Sequence, residues 1–98
     1  WPERLLLVDD GASPKLIEQG YYNIDGELPV NPSGGVTSTN AIGASALVRV
    51  AEAALQVMGI AEGGHQVPKE VKNAVAHGWG GLFQFNTVTV LGDTPVKR

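Results

Sequence analysis

Two side chains and one turn carry the chemistry that this sequence can offer. Asn40 closes the stretch NPSGGVTSTN and stands just ahead of an apolar run from Ala41 to Met58. A carboxamide there suits either of two tasks. It can donate a hydrogen bond to an oxygen on which negative charge develops, or it can cap the free N–H groups of a helix. His77 lies in the run His77-Gly78-Trp79-Gly80-Gly81. Imidazole gains and loses a proton near neutral pH, as a general acid–base must; a strand-end histidine bonded to backbone is the plainer alternative. Ser33-Gly34-Gly35 is the third feature. Its glycines either let backbone approach a ligand or let a turn adopt positive φ, and Ser33 has no base beside it in the sequence.

Composition narrows the chemistry further. The chain has 98 residues and no cysteine, which removes disulfides, thiolate metal ligands and a cysteine nucleophile from this chain. Its two histidines, His65 and His77, are too few and too far apart to suggest a metal site, and none is expected. His65 sits in a polar loop and is expected in solvent. The net charge of −3, with the basic residues scattered, excludes the footprint of a nucleic-acid binder. No signal-peptide pattern occurs, and no apolar run reaches the ~18 residues of a membrane span. No membrane association is expected, and a cytoplasmic location is. A chain that begins at Trp1 is expected to be a piece of something longer or a processed product.

The elements that must position these residues divide at about residue 36. Residues 1–36 read as a turn-rich segment. In it, Leu5 to Val8 is closed by the turn Asp9-Asp10-Gly11, and ASPKLIEQG forms a helical turn or two ending at Gly20. YYNIDGELPVNPSGG then reads as extended. Residues 37–98 hold a helix over Ala41 to Met58, with Thr39 or Asn40 as N-cap and Gly59 as its stop. Arg49, Glu52 and Gln56 make one narrow polar stripe on that helix, and every other direction is apolar or small. A helix apolar nearly all round is buried nearly all round. VKNAVAH reads as a strand, Gly78 to Gly81 as a turn, and FQFNTVTVLG as a second strand with Asn86, Val88 and Val90 on one face. Two strands hide one face of a helix, so a further surface must cover the rest.

The blocks GELPVNPSGG, IGASALVRVAEAALQVMG, AVAHGWGG and TVTVLG, in that order, resemble the C-terminal end of the thiolase superfamily. The resemblance spans about residues 15–92. It implies an α/β chain, the C-terminal part of a five-layered αβαβα fold in which a helix is buried between sheets. Thiolases activate a first-half cysteine with the histidine of a Gly-His-Pro loop. Here Thr39-Asn40-Ala41 stands at that loop, one residue shorter, and a carboxamide accepts no proton near neutral pH. Where many thiolases carry a Cys-x-Gly acid–base, this chain reads His77-Gly78-Trp79-Gly80-Gly81. A histidine there is similar to the sterol-carrier-type and archaeal acetyl-CoA acetyltransferases.

The resemblance therefore implies acyl-CoA as substrate, with coenzyme A as the group carried, in the making or breaking of a carbon–carbon bond beside the thioester. It points to lipid metabolism, with Asn40 and His77 as catalytic residues and Ser33, Gly34 and Gly35 at the coenzyme A side. Its implied partners are the remainder of a thiolase fold or a thiolase-like chain, in a homo- or hetero-oligomer, and a zinc-ribbon/OB-type protein. Two rival readings follow from the missing histidine: a non-catalytic thiolase-like subunit or scaffold, and a cysteine-independent CoA-ester aldolase. For the aldolase, Tyr21 and Tyr22 are candidate acids.

Overall fold

A computed structural model describes residues 1–38, 42–81 and 84–95. The chain divides into two compact units, Trp1–Val30 and Asn31–Arg98.

The first unit is built from turns around one short helix. Leu5 N–H donates to the Trp1 carbonyl and Leu7 N–H to that of Pro2, each at 3.0 Å, so the apolar run coils instead of extending. Helix α1 covers Ser13–Glu18, with Pro14 in its first turn, where a missing N–H costs nothing. The Glu3 carboxylate accepts from Ser13 N–H at 2.9 Å. That backbone bond holds the Glu3 carboxyl below its ordinary range. Gly20, at φ 71°, ends the element. The stretch read as extended after it folds back instead: Leu28 N–H bonds to the Tyr21 carbonyl and Val30 N–H to that of Tyr22. The fold-back requires Gly26, because a Cβ there would collide with the carbonyls of Gly20 and Tyr21.

The second unit lays one helix on one hairpin. Helix α2 covers Ser45–Met58, preceded by a 3-10 turn at Ile42–Ala44. It therefore starts four residues later than its apolar pattern does, and Ala44 occupies its N-cap without a side-chain bond. Gly43 weakens the first turn of the pattern, since glycine is among the poorest helix formers. Gly59 stops α2 as expected: it sits at φ 70°, and Ile60 N–H reaches back to the Leu55 carbonyl. Strands β1 (Asn73–Gly80) and β2 (Phe85–Gly92) pair antiparallel, with His77 opposite Val88 and Trp79 opposite Asn86. The strand expected to end at His77 runs on through Gly80, so Gly78 and Trp79 belong to the ladder and not to the turn.

Alternation along β1 decides what each face does. Ala76 and Gly78 are buried beneath α2, and a Cβ on Gly78 would lie 2.5 Å from that of Ala46. Val75, His77 and Trp79 stand on the opposite face, with Asn86, Val88 and Val90 of β2. Among the described residues the buried apolar core consists of Ala53, Val67 and Ala76. The far side of α2 is uncovered, with Leu47 at 70% and Met58 at 65% exposure, and so is the far face of the sheet. The second unit supplies the helix–sheet pair of an α/β layer, and its described residues on both outer surfaces are largely exposed.

Candidate functional site

His77 is held from two directions. Its carbonyl accepts from Arg49 Nη1 at 2.8 Å, which ties the strand backbone to α2. Its ring lies half-buried on the other face of the sheet, with Nε2 3.1 Å from Asn86 Oδ1. The Trp79 ring meets it edge-on, at 6.2 Å between centroids and 73° between planes. The glycines around it signal a turn, yet Trp79 is the next same-face neighbour of the histidine.

The Ser33-Gly34-Gly35 turn lies at the start of the same unit. Gly34 and Gly35 both adopt positive φ, 85° and 59°, and Gly35 opens a 3-10 turn that ends at Thr37. A side chain on Gly34 would strike the Ser38 hydroxyl, and one on Gly35 would press on Asn31. The Thr37 hydroxyl donates to the Gly34 carbonyl at 2.6 Å. The turn's own packing thus accounts for both glycines. Asn40, and the Thr39 expected beside it as a cap, lie outside the described residues. Tyr21 and Tyr22 belong to the first unit, where their rings meet edge-on and the Tyr22 hydroxyl lies 3.1 Å from that of Ser13.

Away from His77, the polar stripe of α2 does something the sequence did not announce. Gln56 is 5% exposed, and each end of its amide is engaged. Its Nε2 donates to the His65 carbonyl at 2.7 Å and to Glu52 Oε1 at 2.9 Å. Its Oε1 accepts from Val67 N–H at 2.9 Å and from Gln66 Nε2 at 3.1 Å. His65, expected in solvent, is half-buried instead, and its Nδ1 pairs with Glu52 at 3.0 Å. The loop from Ile60 to Pro68 needs partners for its backbone, and a carboxamide supplies donor and acceptor together. The spacing of Arg49, Glu52 and Gln56 was the available signal: one stripe of an otherwise apolar helix that meets its own chain. Among the described residues, no group of three or more His, Asp or Glu side chains is placed to hold a metal, and no helix is long and apolar enough to cross a membrane.

A family model described as thiolase C-terminal domain-like matches residues 1–93. An acetyl-CoA acetyltransferase of Methanothermobacter thermautotrophicus is 34% identical over 80 residues, which cover 81% of this chain and 20% of that protein. The chain thus spans about a fifth of the length of that curated relative. No solved structure matches it significantly.

Proposed function

Because the chain belongs to the thiolase C-terminal domain-like family, we propose that it is the C-terminal part of an enzyme acting on acyl-CoA thioesters. The reaction makes or breaks the carbon–carbon bond beside the thioester, with the nucleophile supplied from outside this cysteine-free chain. One observation carries a role for this segment. Ala46, in the first turn of α2, packs on Gly78, the residue after His77. The first turn of α2 and the strand segment that carries His77 therefore lie at the same end of the helix–sheet layer, with the His77 ring on the sheet face away from α2.

In this reading Asn40 donates to the thioester oxygen as it takes on enolate charge, helped by the partial positive charge of the helix N-terminus. His77 moves the proton. The Ser33–Gly35 turn presents backbone to the coenzyme A side. The bare faces of α2 and of the hairpin pack on the remainder of a thiolase fold or on a thiolase-like partner.

A second reading is favoured by Thr39-Asn40-Ala41, which stands where the family's activating histidine is expected. It makes the chain part of a non-catalytic thiolase-like subunit. Assay of the assembled protein with acetoacetyl-CoA and CoA separates the two. Thiolysis is expected, and His77→Ala should lower kcat by roughly 10²- to 10⁴-fold, as for a lost general acid–base. Asn40→Ala should cost up to ~10³-fold, the price of one oxyanion donor. Retro-aldol cleavage of a β-hydroxyacyl-CoA without thiolysis would replace the reaction by the aldolase type. Silence on both substrates would leave the scaffold reading.

A further inference from the structure

We infer that Asn86 fixes the His77 imidazole in the Nε2–H tautomer and orients its ring. This makes Asn86 a positioning residue for the proton transfer proposed above. The inference takes its purpose from the acyl-CoA reading but not its test.

The residue type is the first sign. Asn is among the side chains least suited to a strand, and its same-face neighbours on β2 are Val88 and Val90. The register places that carboxamide beside the histidine. Asn86 lies opposite Trp79 and diagonal to His77, close enough for Oδ1 to stand 3.1 Å from Nε2. An amide oxygen only accepts, so the nitrogen that faces it carries the proton. The backbone below the ring is held independently, through Arg49 Nη1 on the His77 carbonyl at 2.8 Å. With the carbonyl held from α2 and the Trp79 ring at its edge, the Asn86 contact bears directly on the rotation and tautomer of the imidazole. A neutral imidazole offers two tautomers, and the bond made by one nitrogen decides which is present.

The test uses the assembled protein labelled with ¹⁵N-histidine, at a pH where imidazole is neutral, with His77→Gln to identify the His77 signals. The parent should show the Nε2–H form as dominant. Asn86→Ala should mix the two tautomers, and Asn86→Asp, which keeps an acceptor oxygen in place, should retain Nε2–H. In the same preparations Asn86→Ala should lower kcat by roughly 10- to 100-fold, the cost of a misplaced catalytic group, with KM unchanged. An unchanged His77 spectrum in Asn86→Ala, or an Nδ1–H form in the parent, would overturn the inference. If the tautomer shifts as expected while no protein, parent included, turns over acyl-CoA, the acyl-CoA reading falls and the assignment of Asn86 stands.

Discussion

On the side of α2 that meets its own chain, Ala46, Arg49, Ala53 and Gln56 are small or polar beside the partly buried Val50 and Val57, and Ala53 and Gln56 are buried. On the opposite side Leu47, Val48, Ala51, Leu55 and Met58 are apolar and exposed. A free-standing amphipathic helix turns polar residues to water, so it is the outer face that departs from that pattern. The difference separates two tasks. Hydrogen bonds are directional, so Arg49 and Gln56 set how the helix sits on β1 and on the Ile60–Pro68 loop. Apolar area is not directional, and it stabilises only once something removes it from water. The inner face gives α2 its register; the outer face makes that register worth having only in a larger body.

The largest expected effect tests the outer face. The 98-residue chain expressed alone should show no cooperative unfolding transition and should bind a hydrophobic dye. Fully burying one large apolar side chain stabilises by ~1.5–3 kcal/mol, whereas ordering each residue costs ~1–2 kcal/mol in backbone entropy. Among the described residues the buried apolar set of Ala53, Val67 and Ala76 does not offset that cost. Leu47→Glu with Leu55→Lys should suppress dye binding by the isolated chain without restoring cooperativity. A sharp, reversible melt of the unmodified monomer would sink the comparison.

Next in size is the inner face, measured in the assembled protein. Gln56→Leu keeps the volume but leaves the Val67 N–H and the His65 carbonyl without the partner each has now. At ~1–3 kcal/mol for each of the two buried groups left unsatisfied, the loss should be about 2–6 kcal/mol. Gln56→Glu should recover only the acceptor half. Equal melting temperatures for Gln56→Leu and the parent would mean that the loop does not depend on the stripe.

That stripe marks where the sequence was legible and where it was not. The apolar run, Gly59 and the alternation of β2 showed helix and strand directly, because each is a local, periodic property. The order of NPSGG, IGA, HGWGG and TVTVLG carried the family, which the match over residues 1–93 bears out and extends over the first 14 residues. Gln56 was visible as polar but not as buried, since burial depends on a loop that returns from ten residues away. The burial of His65, in a loop that reads as polar, depends on the same return. Of the site, His77 stood out by type, while Arg49 and Asn86 did not, because only register brings them to it. Glycines signal turns locally, so the pattern ends the strand at His77, whereas Gly78 here answers to the approach of Ala46 and stays in β1.

A third, smaller effect sharpens that last point. Gly78→Ala brings a Cβ to 2.5 Å from Ala46 Cβ, so helix and strand must separate. Overpacking of this kind costs ~1–3 kcal/mol. Gly80→Ala meets open space and should be close to neutral. Ala46→Leu presses on the same contact from the helix and should resemble Gly78→Ala. Equal melting temperatures for the two glycine variants would show that α2 does not rest on Gly78 in the assembled protein.

The smallest effect lies at Glu52, where the two faces of α2 adjoin. From the sequence, Glu52→Leu should be better tolerated than Ala46→Leu or Ala54→Leu, as a change within a polar stripe. The structure keeps Ala46 as the more sensitive position but gives Glu52 work of its own. Its Oε1 accepts from His65 Nδ1 at 3.0 Å and from Gln56 Nε2 at 2.9 Å, with side chains 28% exposed for His65 and 18% for Glu52. Leucine removes both acceptors, yet Gln56 Nε2 keeps the His65 carbonyl and His65 retains access to water. The cost should therefore be that of about one ordinary hydrogen bond, ~0.5–1.5 kcal/mol. Glu52→Gln, which preserves an acceptor oxygen, should cost less again. Thermal melts of the assembled protein should rank Ala46→Leu below Glu52→Leu, and Glu52→Gln nearest the parent. If Glu52→Leu instead matched or exceeded Gln56→Leu, the loop would be anchored through His65 and not through the carboxamide, and the inner face would have a different centre.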